Sequence, residues 1–195
     1  MIEHFKKFDS GDKSLLPLSF SHLTEFAFYR ERWALRRIFG YEFPSSAAAE
    51  RGKAVESGVN LILNGHDLSK AKELMISEFD ENCSRIDDPN TSIERDNLVP
   101  LLELAAYKFQ QFAFKWDLVG YQNKIDVFIK GIPLIGYTDF QFEDKKTKEN
   151  FYLDLKTSKT LPQQISMSHA MQQSIYNRAT NARQMLWYLK NPTKT

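Results

Sequence analysis

At Val119 the hydrophobic pattern of the chain changes period, and that change limits the folds open to it. Upstream, Val55, Val59, Ile62 and Leu63 recur at the spacing of one helix face. Leu101, Leu102, Ala105, Phe109, Phe112 and Trp116 line the inner side of a helix expected over 97–116. Downstream, Ile125, Val127 and Ile129 alternate with Lys124, Asp126 and the Phe128/Lys130 positions, which is the pattern of a strand. Helices come first, then three strands, one helix and one strand. An α/β fold with a mixed central sheet and helices packed against it fits that order.

The remaining elements follow from local signals. Residues 1–17 are polar and read as a mobile lead-in ending at Pro17. Ser19 or Ser21 can cap a first helix that carries Leu23, Phe26 and Ala27, runs to about Phe39 and stops at Gly40. A loop over Phe43–Ala49 precedes the second helix, which starts near Glu50 and ends at Asn64-Gly65. A third helix is expected over 68–82, and Asp87-Asp88-Pro89-Asn90 is a turn. Leu134–Phe142 pairs as a hairpin with the preceding strand through Lys130-Gly131-Ile132-Pro133. Phe151–Thr157 is the third strand, Pro162–Thr180 a helix and Gln184–Lys190 the last strand. One domain over 18–195 is expected, with a helical part at 18–117 and a sheet core at 118–195.

Composition narrows the function classes. Hydrophobic residues make up 42% of the chain, enough for a core. No apolar run reaches the roughly 18 residues of a membrane span, so no membrane partner is expected. The N-terminus lacks a secretory signal, so the expected location is cytoplasmic. The single cysteine, Cys83, excludes an internal disulfide and any cysteine-built cluster. The net charge is only +1, but it is unevenly spread: after Asp154 there is no acidic residue, and Lys156, Lys159, Arg178, Arg183, Lys190 and Lys194 make that stretch +6. Such asymmetry suits contact with a polyanion.

The chemistry-bearing residues lie on the strands. Asp154 and Lys156 are two apart, so on one strand they share a face. Asp139, in Gly136-Tyr137-Thr138-Asp139, sits on the preceding strand and can lie beside them. Two carboxylates held that close repel, and a hard divalent ion relieves the repulsion. By itself a D-x-K triplet more often marks an exposed strand with an ion pair. Gln172 and Tyr176 share a helix face, with His169 and Arg183 near it; such side chains can donate to phosphate, or simply form the polar edge of an amphipathic helix. Glu56 borders the Val55/Val59 stripe, either as a third carboxylate or as a solvent-facing glutamate.

Together these elements resemble the PD-(D/E)XK nuclease superfamily, in its RecB-like branch. The similarity runs from about Leu18 to Lys190. Leu18–Leu23 resembles the opening helix, Arg51-Gly52-Lys53-Ala54-Val55-Glu56 the first motif, Gly136–Asp139 the second and Asp154-Leu155-Lys156 the third. Gln172–Tyr176 matches the Q-x-x-x-Y helix of that branch.

The resemblance implies a restriction-endonuclease-like core and Mg²⁺- or Mn²⁺-dependent hydrolysis of DNA, as an exonuclease in recombination, repair or phage DNA processing. An endonuclease and an inert DNA-binding module are the alternatives. It implies Glu56, Asp139, Asp154 and the Leu155 carbonyl as metal ligands, and Lys156 as the catalytic lysine beside Glu56, Asp139 and Asp154. Gln172, Tyr176, Arg183 and Lys159 are then DNA-binding residues. A helicase or single-strand annealing protein is an implied partner. Two departures stand out: many members carry His where this chain has Glu56, and the early cysteine of the family's iron–sulfur cluster falls on Tyr29 here, so no cluster is expected.

Overall fold

The computed structural model describes residues 17–190. Apart from Pro17, the expected lead-in lies outside the described residues, as does Lys194. In chain order the elements are β1 (Leu18–Ser19), α1 (Phe20–Phe28), α2 (Arg30–Arg37), α3 (Ala47–Leu63), α4 (Leu68–Cys83), α5 (Thr91–Asp96), α6 (Leu98–Gln110), β2 (Trp116–Ile129), β3 (Ile132–Asp144), β4 (Asn150–Ser158), α7 (Met167–Thr180) and β5 (Arg183–Lys190).

The strands form one mixed sheet. β1 and β2 both pair with β3, β3 pairs with β4, and β4 with β5. β1 joins β3 in parallel through Leu18↔Leu134 and Ser19↔Ile135. β3 and β4 are antiparallel, with Phe140↔Leu153 and Phe142↔Phe151 in register. β4 and β5 run parallel from Phe151↔Arg183 to Ser158↔Lys190. The fold is thus the expected α/β arrangement, a central mixed sheet flanked by helices. Among the described residues no helix is long and apolar enough to cross a membrane.

The described chain divides into two compact units. One comprises the residues through Phe43 with Lys124–Tyr137 and Ile165–Ala182; the other comprises Pro44–Asn123, Thr138–Gln164 and the residues from Arg183. In the second unit Ala54, Val55 and Val59 of α3 are buried with Met75 and Phe79 of α4, Leu101, Leu102 and Phe109 of α6, and Phe140, Leu153, Leu155 and Leu189 of the sheet. Burying such side chains contributes about 1.5–3 kcal/mol each relative to leaving them exposed.

In the first unit Tyr176 of α7 is buried, and its ring lies over Gly136 of β3. A Cβ on Gly136 would stand 2.6 Å from the tyrosine Cε1. The glycine is therefore a requirement of the tyrosine packed on it, and two motifs that look separate in the sequence interlock. Gly136→Ala should destabilise the protein by about 1–3 kcal/mol, the usual cost of overpacking. Urea unfolding will measure it, and an unchanged midpoint would show that the ring moves aside freely.

Several boundaries differ from expectation for identifiable reasons. The first helix is broken at Tyr29 (φ −143°, ψ 60°), which lets Trp33 of α2 pack edge-on to Phe26 with ring centroids 5.1 Å apart. Glu25 spans the break, 3.2 Å from Arg32 and 3.4 Å from Arg36. Ser19, not Ser21, is the cap, in a reciprocal box with His22. α3 starts at Ala47 because the Ser46 hydroxyl accepts the Ala49 N–H at 3.3 Å, and the Asp88 carboxylate accepts the Ala47 N–H at 3.0 Å.

The helix expected over 97–116 stops at Gln110, and Thr91–Asp96 forms a separate short helix before it. Trp116 opens β2 instead; it stacks on Phe112 at 4.5 Å and meets Phe151 of β4 at 4.8 Å. α7 begins at Met167, where Ser166 caps it, not at Pro162.

Candidate active site

Alternation along β4 puts Asp154 and Lys156 on one face, and the β3–β4 register carries Asp139 next to Asp154. The Leu155 N–H donates to Asp139 Oδ2 at 2.8 Å, which pins that carboxylate against β4. Lys156 Nζ lies 2.7 Å from Asp154 Oδ2. Asp154 is buried at 4% exposure, so this ion pair is only partly screened by water. All three side chains, and Glu56 on α3, belong to the second unit.

Charge crowding shows in the ionisation of these groups. Burial pushes the Asp139 carboxyl up, and the charges of Asp154 and Glu56 push it further, to about 8, against the pull of Lys156 and the Leu155 amide. Burial also raises Glu56, although hydrogen bonds from Gln122 and Tyr121 and the Lys156 charge oppose it. Burial alone would lower Lys156; the carboxylates of Asp154, Asp139 and Glu56 outweigh it and hold the ammonium charged. Without an added cation the site thus retains a proton on a carboxyl that would ordinarily be ionised at neutral pH.

That is the electrostatic state a hard cation would relieve, and the carboxylate oxygens of Asp139 and Asp154 are the donors such an ion takes. Among the described residues no group of three or more His, Cys, Asp or Glu side chains is arranged to hold a metal. Glu56 is close enough that its charge raises the Asp139 carboxyl.

The other sequence candidates fall in different places. Gln172 and Tyr176 lie in the first unit, where the Gln172 amide donates to the Tyr176 hydroxyl at 3.2 Å. His169, at the start of α7, donates its backbone N–H to the cap Ser166 at 3.2 Å. Lys159 is largely exposed just beyond β4, 3.8 Å from Glu94. Arg183 pairs with Phe151, and its guanidinium lies 5.1 Å from that ring's centroid. It is five residues before Tyr188, the partner of Lys156, so it stands about 16 Å along the strand from the site and on the opposite face. The structure does not bring Arg183 to the carboxylates. Lys190 closes the far end of the same strand.

Three residues near the carboxylates carried no sequence signal of their own. Tyr188 is the cross-strand partner of Lys156 in the parallel β4–β5 pair, and its phenol is raised by burial, with Lys156 and Asp154 acting on it in opposite senses. Tyr121 and Gln122 of β2 reach Glu56; the Gln122 amide donates to Glu56 Oε1 at 3.1 Å.

No protein-family model matches the chain, and no curated protein matches it. Among solved structures, it is similar to the crystal structure of a "Putative exonuclease" from Eubacterium rectale, with a TM-score of 0.51 and 15% identity over 94% of this chain and 70% of that one. The crystal structure of SSO0001 aligns with a TM-score of 0.35 and 14% identity, covering 88% of this chain and 79% of that one. At such identity the first likeness shows the fold alone.

Proposed function

We propose that this chain is a metal-dependent deoxyribonuclease of the RecB-like PD-(D/E)XK kind that hydrolyses phosphodiester bonds from DNA ends. The observation that carries the reading is the Asp139–Asp154–Lys156 cluster, with Asp139 anchored by the Leu155 amide at 2.8 Å and Lys156 held 2.7 Å from Asp154. Action at ends is supported by the neighbour described as an exonuclease. The +6 stretch after Asp154 favours a polyanionic substrate.

In this reading Glu56, Asp139, Asp154 and the Leu155 carbonyl would hold Mg²⁺ or Mn²⁺. The bound ion would supply Lewis acidity and offset charge that develops on the phosphate. Lys156 does the rest of the electrostatic work. Its ammonium is kept protonated by three carboxylates, so it can donate to an attacking water or to a phosphate oxygen as negative charge builds there. Gln172, Tyr176 and Lys159 would hold the DNA strand, while Arg183, on the opposite face of β5, would not reach the same phosphates. A helicase or single-strand annealing protein would present ends inside the cell.

Labelled linear single- and double-stranded DNA with Mg²⁺ or Mn²⁺ tests the activity, and covalently closed circular DNA tests the need for an end. Linear DNA should be degraded and closed circles left whole; cut circles would favour an endonuclease. Lys156→Ala should slow cleavage of linear DNA about a hundred- to a thousandfold, as loss of one preorganised donor does elsewhere. Full activity in that variant would remove Lys156 from the mechanism.

A further inference from the structure

We infer that Tyr121 and Gln122 form a clamp that positions the Glu56 carboxylate, and that the backbone of β2 is bent at Gln122 to make it. The role given to Glu56 rests on the nuclease reading; the clamp itself rests on geometry. Gln122 has φ +47° inside a strand, a left-handed conformation that a side chain rarely adopts and glycine adopts readily. In a regular strand successive side chains point to opposite faces. A left-handed residue interrupts that alternation, as in a bulge. Neighbours that would diverge then converge: the Gln122 amide donates to Glu56 Oε1 at 3.1 Å and to the Tyr121 hydroxyl at 3.3 Å, and Tyr121 is itself hydrogen-bonded to Glu56.

The surroundings hold the bend in place. The Asn123 side chain folds over Gly120 so closely that a Cβ there would overlap it. The Asn123 amide donates to Gln141 Oε1 at 2.6 Å, and the Thr138 hydroxyl donates to the Asn123 carbonyl at 3.4 Å. Tyr121 is steadied by Phe140, whose ring centroid is 5.4 Å away. Gln122 itself is exposed, and its backbone would suit glycine better. What the glutamine adds at this position is its side-chain amide, and that amide is spent on Glu56. Tyr121 and Gln122 are thus positioning residues: they aim a carboxylate at the Asp139–Asp154 pair, as outer partners of a ligand do in other metal sites.

Gln122→Gly separates this role from a structural one, because it removes the amide and relieves the backbone together. Urea unfolding without metal should show stability close to wild type, with the relief offsetting the lost hydrogen bond. In the Glu56→Ala background, where that bond is already gone, the same change should raise stability. On linear DNA, Gln122→Gly should lower kcat about ten- to a hundredfold with KM nearly unchanged, and should cost nothing further once Glu56 is alanine. An equal stability effect in both backgrounds, or an unchanged kcat in Gln122→Gly, would overturn the clamp. If the wild-type protein cleaves no DNA, the nuclease reading fails, and the metal-free stability cycle alone decides the clamp.

Discussion

Asp139→Asn should abolish metal-dependent cleavage and, without divalent metal, raise the stability of the protein at pH 8. Asp139 ordinarily titrates at 3.8 but is pushed to about 8 by burial and by the charges of Asp154 and Glu56. Between those two values the folded chain keeps a proton that the unfolded chain has released. Its contribution to stability therefore falls as pH rises through that window, and levels off above about 8. Asparagine keeps the carbonyl oxygen that accepts the Leu155 N–H and carries no charge. The falling slope between pH 4 and 8 should accordingly flatten in the variant. Thermal melts of both proteins across this range, in a chelator, measure it. A variant less stable than wild type at pH 8 would contradict the crowding of charge described for the site. Opposite changes in stability and activity are expected where a site carries strain for function.

Arg51→Ala should cost about 3–5 kcal/mol, the usual result of leaving a buried charge without its partner. Arg51 and Glu94 are 3% and 1% exposed, and their side chains form a direct ion pair that joins α3 to α5. A second guanidinium nitrogen of Arg51 donates to the Thr157 hydroxyl at 3.0 Å. Alanine strands Glu94 in the interior, with Lys159 at 3.8 Å as its remaining cationic neighbour among the described residues. Thr157 follows Lys156 directly, so the same change loosens the strand that carries Asp154 and Lys156. The double change Arg51→Met/Glu94→Leu should recover most of the loss, because it removes both charges and fills the space. Urea midpoints of the single and double variants decide it. A single variant as stable as wild type would mean that water reaches Glu94 freely.

The parts of this molecule that could be read from its residues are those set by local periodicity. Asp154 and Lys156 had to share a face once 151–157 was a strand, and Leu155 had to turn inward. Helix starts followed caps, although the choice between Ser19 and Ser21 needed the reciprocal bond with His22. The start of β2 was hidden, because Phe112 and Trp116 continue the helical spacing of Phe109 after the helix has ended. Their rings share one aromatic cluster with the sheet, and that tertiary packing overrides the period. Tyr188 could not be placed beside Lys156 before the parallel register of β4 and β5 was known. Gln122 was hidden for a different reason. Left-handed backbone announces itself through glycine or asparagine, and here the position is taken by a glutamine whose side chain is needed elsewhere. The dependence of Gly136 on Tyr176 joins residues forty positions apart, and no local pattern carries it.

The central claim is that Asp139, Asp154 and Lys156 form a hydrolytic centre acting on DNA. The most direct test is a time course on end-labelled linear DNA, comparing the wild-type protein with Asp154→Asn in Mg²⁺, in Mn²⁺ and in a chelator. Wild-type protein should release labelled product only with a divalent ion, and Asp154→Asn should release none while its circular dichroism stays native. Cleavage that survives the chelator or the substitution, or a folded wild-type protein that cuts nothing, would contradict the account.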